Sequence, residues 1–110
     1  MPSAVKLEAE AEFGNVEYKL VLKFANEWQF EKRKTQMQFR VEEGDGAAVY
    51  CLGVDDDGVC VGIEYAEMMR SEANLIRLAD SLDLVVSFSR HFTTASPQLF
   101  AREYRIDRAI

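Results

Sequence analysis

The stretch Gly53-Val54-Asp55-Asp56-Asp57-Gly58-Val59-Cys60 sets three consecutive carboxylates and a glycine between two apolar runs. Carboxylates side by side can hold a divalent cation or exchange protons with a substrate. A calcium loop of the EF-hand type needs them at alternate positions and a distant bidentate glutamate, which this spacing does not supply. A turn accounts for the motif without chemistry, because Asp side chains bond nearby backbone amides and Gly58 takes a positive φ without steric cost. With Val54 facing Val59, the loop is Asp55-Asp56-Asp57-Gly58, a four-residue hairpin connection. In that register Cys60 faces Gly53 and Cys51 faces Gly62, so the two cysteines are diagonal and read as buried free thiols. The lone histidine, His91, leaves no zinc spacing, and no serine or cysteine sits in a nucleophile elbow.

A second constellation is basic. Arg90, Arg102, Arg105 and Arg108 lie near Phe92 and Tyr104 in the C-terminal part. If their strands are neighbours, they form a surface for RNA phosphates and stacked bases. The formal charge of −6 argues against a protein held to nucleic acid by bulk electrostatics and favours a solvated sheet face instead. Glu31-Lys32-Arg33-Lys34 reads as a solvated helix face.

The elements that must position these groups follow from periodicity. Val16, Tyr18, Leu20 and Leu22 alternate within 15–23, the pattern of a half-buried strand. Asn26 then caps a helix whose Phe30, Met37 and Val41 share one face, flanked by Trp28 and Phe39, both expected in the core; Gly44 and Gly46 end it. Residues 47–54 and 59–63 form a second and a third strand. Met68, Leu75, Leu78, Ala79 and Leu82 mark a second helix over 64–82. Strands over 84–92 and 98–106 follow, separated by a loop stopped at Pro97. The order is β-α-β-β-α-β-β, an α+β domain with two helices packed on a mixed or antiparallel sheet. A flexible lead-in occupies 1–11 and one domain occupies 12–110.

Composition agrees with a folded domain: 48% of the residues are hydrophobic and 29% charged over 110 residues, enough for one core. No apolar run is long enough to span a membrane and no basic start precedes an apolar stretch, so a cytoplasmic location is expected. The cysteines fit a reducing compartment.

Glu17-Tyr18-Lys19-Leu20, Thr35-Gln36-Met37, Arg40, Glu43-Gly44, Gly46, Ala48, Tyr50 and Gly53-Val54 resemble, in order and spacing, the domain that precedes the GTPase domain in eukaryotic GTP-binding proteins related to elongation factor Tu and the ribosome-rescue GTPases. The resemblance covers about residues 12–84. It implies a non-catalytic accessory domain that contacts RNA, the ribosome or a GTPase domain in cis or in trans. The sequence contains no G-x-x-x-x-G-K-[ST] phosphate loop, so GTP is not bound by that family's mechanism here.

A weaker resemblance is to the Schlafen-type nucleic-acid-binding domain, in which a Glu-aromatic-Lys strand precedes a Gly-Val-Asp-Asp hairpin. It implies an alternative: Glu12, Glu17 and Asp55 or Asp56 as catalytic ligands of Mg or Mn in an RNA endonuclease. The Asn-Thr-Gly-Gly segment usual before that hairpin is replaced by Glu42-Glu43-Gly44-Asp45-Gly46. Outside that alternative no cofactor is expected. A third reading is a protein-interaction module without nucleic acid.

Overall fold

The computed structural model describes residues 3–109. Its order is β1 Val16–Lys19, α1 Glu27–Glu43, β2 Ala47–Leu52, α2 Tyr65–Ser81, β3 Leu84–Phe92 and β4 Ala101–Arg108. The strands form one mixed sheet in the order β1-β2-β4-β3; β1 is parallel to β2 and the other pairs are antiparallel. This is the α+β class expected, with two helices on a mixed sheet.

Local chemistry sets the helix ends. The Asn26 side chain accepts a hydrogen bond from the Gln29 amide at 2.9 Å, and the Gly44 amide donates to the Arg40 carbonyl at 3.1 Å. The first satisfies an orphan donor of the opening turn, the second an orphan acceptor of the last. Helix α2 buries Met68, Ser71, Leu75, Leu78 and Ala79. Ser71 and Asn74 also hold the chain after β1, accepting from the Leu22 amide at 3.1 Å and donating to its carbonyl at 2.9 Å. Irregular backbone beside the core is thereby paired rather than orphaned.

Two expected features differ. The third strand does not form: Val59 bridges Lys6 and Ile63 bridges Phe100, each singly. Strand β2 already has β1 on one side and β4 on the other, so no edge is left for a returning hairpin. The assumed register changes too. The Gly62 amide donates to the Gly53 carbonyl at 2.9 Å, while Cys51 lies between Tyr18 of β1 and Glu103 of β4. Both cysteines are buried and free.

Trp28 and Phe39 are likewise not core: they are 69% and 39% exposed. The inward stripe of α1 runs through Met37, Arg40 and Val41, and these two rings fall off it. Each covers itself with a neighbouring cation instead, Lys32 over Trp28 and Arg40 over Phe39.

The sheet has an apolar layer on each face. Toward the helices, Ala48, Tyr50, Leu52, Tyr104 and Ile106 pack with Met37, Val41, Met68, Leu75 and Leu78. On the reverse face Tyr18, Cys51, Phe92 and Ala101 pack with Val54 and Cys60, joined by the partly buried Val5 and Leu7. Residues 5–10, assigned by sequence to the lead-in, run there as a strap: Val5 donates to Thr93, Leu7 to Gly58 and Glu10 to Asp56, and Cys60 donates back to Val5.

Candidate functional site

The hairpin carboxylates divide the work. One Asp55 oxygen accepts from the amides of Asp57 and Val59, at 3.0 and 2.9 Å, which makes Asp55 the internal brace of the turn. Gly58 closes it at φ +88°, and a Cβ there would run into the Leu7 and Glu8 carbonyls. The glycine therefore serves the turn and also lets the strap come close. Asp56 is left exposed at the rim of a cleft of about 430 Å³, lined by Glu10, Ala11, Glu12, Glu17, Gln36, Arg40 and Asp56.

The fold thus brings Glu12, Glu17 and Asp56 to one cleft and keeps Asp55 out of its lining. Their state within it differs. Glu17 is 2% exposed; one oxygen takes the Arg40 Nε at 2.8 Å and the other the Lys19 Nζ at 3.1 Å. Arg40 spends its remaining donors on the Gly14 and Ala11 carbonyls, both at 2.9 Å. A buried charge that is neutralised and fully hydrogen-bonded in this way is a structural anchor. It fastens the loop of residues 11–14 to α1.

Glu10, Gln36 and Arg40 complete the cleft and were not among the site residues expected from sequence. Glu10 sits in an acidic lead-in where nothing distinguishes it from Glu8 or Glu12. Its carboxylate accepts from the Tyr18 amide at 2.5 Å. Burial raises its pKa above the ordinary carboxylate value against the lowering effect of that bond, and the charges of Glu17 and Asp56 act in the same direction as burial.

Among the described residues no three His, Cys, Asp or Glu side chains converge closely enough to hold a metal ion. Both oxygens of Glu17 are committed to cations, one to Arg40 and the other to Lys19.

The arginines do not form one stripe. Arg102 donates to Glu72 of α2 at 3.2 Å, and Arg108 lines a cleft of about 290 Å³ with Val41 and Glu42 of α1, which puts both on the helix side. Arg90 meets Glu103 at 3.3 Å and lines the strap-side cleft that includes Leu7, Tyr18 and Cys51. Arg105, on the alternate register of β4, meets Asp107 at 2.9 Å. Three of the four guanidiniums thus lie against carboxylates. His91 is exposed, its ring 4.8 Å from that of Phe88.

Comparison with known proteins adds what the geometry lacks. The chain is 43% identical over 84 residues, 76% of its length, to GTP-binding protein 2 of mouse and equally to that of human. This chain is related to a segment of a GTP-binding protein. It spans 14% of the length of those curated relatives. No family model and no solved structure matches it. No helix among the described residues is long and apolar enough to cross a membrane.

Proposed function

We propose that this chain is a non-catalytic accessory domain of a translational-GTPase-like protein, packing against a GTPase domain in cis or in trans. One observation carries the reading: 84 residues match a protein named for GTP binding, in a sequence that has no phosphate loop of its own.

Titrating GTP into the isolated chain should give no binding heat. Mixing the chain with human GTP-binding protein 2 from which the matched segment has been removed should give a complex, visible as co-elution, and a changed rate of GTP turnover. Separate elution with unchanged turnover would sink the proposal.

RNA or ribosome contact is the second reading, supported by the exposure of Arg90 and Arg105, whose side chains are 62% and 60% exposed. It requires their carboxylate partners to be exchanged for phosphates. RNA retention that falls with salt and weakens in Arg90→Ala and Arg105→Ala would favour it, and no retention at low salt would exclude it.

A further inference from the structure

The two edges of the sheet are treated unequally. Strand β1 is four residues long, and its outward Tyr18 amide is taken by the Glu10 carboxylate while the Tyr18 hydroxyl donates to the Glu8 carbonyl. Strand β3 is nine residues long and, among the described residues, makes backbone hydrogen bonds only to β4. An open edge of this length is a template for another strand.

The edge is also divided along its length. A register shift between Phe88 and Arg90 breaks the regular ladder, so Leu84-Val85-Val86-Ser87-Phe88 is the part that can accept a partner in simple register. These five residues carry no charge in a chain of net charge −6. Val85 is 53% exposed and Phe88 50%. A charged peptide laid along them would leave its charges without partners; a neutral, β-branched strand would not.

We propose that this edge pairs antiparallel with the same edge of a second copy of this chain, about a two-fold axis at Val86. The register then sets Leu84 across from Phe88 and Val85 across from Ser87, twice over. Just past each end of this paired stretch the exposed Asp83 of one copy, where the backbone has already turned at φ +57°, comes near Arg90 of the other. Opposite charges become neighbours at both ends and no like charges face each other. The two sheets join into one of eight strands. With five residues paired per copy the contact is a concentration-dependent one rather than an obligate interface.

Sedimentation equilibrium on the whole chain, from low micromolar to near-millimolar concentration, tests this. The apparent mass should climb from 12.5 kDa toward twice that value. Val85→Lys and Ser87→Lys, each on an exposed side chain, should weaken dimerisation at least about tenfold, since edge lysines oppose strand addition. Val61→Lys, exposed but away from the edge, should dimerise as the parent does. The proposal is overturned by a 12.5 kDa mass throughout, by lysine variants that dimerise undiminished while keeping the parent's circular dichroism, or by a monomer that instead captures an extended apolar peptide.

Discussion

On one side the sheet meets two helices of 17 residues each, and side chains such as Leu75, Leu78 and Ile106 are wholly withdrawn from water. On the other it meets only an extended strap and a hairpin, with Val5 and Leu7 half-buried and a cleft left open over Tyr18, Val49 and Cys51. Both faces are apolar, yet they are closed by different means. Helices satisfy their own backbone and bring long side chains inward; a strap must borrow its hydrogen bonds from the hairpin and from Thr93. The first face holds the fold together, and the second is where it can be opened locally.

The contrast can be broken most forcefully at the Glu17–Arg40 pair. Arg40→Met leaves Glu17 with Lys19 alone and releases the Ala11 and Gly14 carbonyls, so urea unfolding should show a loss of about 3–5 kcal/mol. Leu75→Ala on the helix face should cost about 3 kcal/mol through lost contact and the cavity it leaves. A loss under about 1 kcal/mol would mean that the helix side is not the principal core.

Gly58→Ala tests the strap face. It places a Cβ against the strap at a positive φ and should cost about 1–3 kcal/mol. Amide exchange should quicken at Leu7 and Glu10 while Leu75 stays protected. Uniform acceleration would instead make the two faces one cooperative unit.

Thiol labelling sharpens the same point. Burial pushes the Cys51 thiol up to about 12, with Glu103 and Cys60 adding to the effect. The native chain at mildly alkaline pH should therefore leave Cys51 unmodified, and Leu7→Ala should speed its labelling without changing the unfolding midpoint by much.

The smallest expected effect concerns Glu10. Its raised pKa means that the folded state keeps this proton to higher pH than the unfolded chain does. Stability from this group is therefore present at low pH and declines as pH rises from the ordinary carboxylate value through the raised one. Glu10→Gln should flatten that decline, read from unfolding curves across the acidic range.

The sequence makes the helix face legible because its signals are local and periodic. The Asn26 cap, the Gly44 stop, the Met68 to Ala79 spacing and the 84–92 strand can each be read within a window of a few residues. The strap face is illegible by the same reasoning, since Val5, Leu7 and Glu10 gain their roles only from partners far along the chain. The failed third strand has that cause as well: its residues form a suitably apolar run, but β4 takes the edge they would need. At the cleft, Glu12, Glu17 and Asp56 can be assembled from resemblance, whereas Arg40 as the counter-charge of Glu17 is a tertiary fact about a helix and a strand 23 positions apart.

The strap also imposes an order of events on a chain that is made from one end. Residues 5–7 are made before the partners they need, and the acceptor for the Val5 amide is the carbonyl of Thr93, the residue directly after β3. Closing a loop of that length yields no bond until its far end exists. The strap must therefore wait for the 56–60 turn before Leu7 and Glu10 find their acceptors and for the end of β3 before Val5 does, so its bonds close in two stages set by the chain downstream.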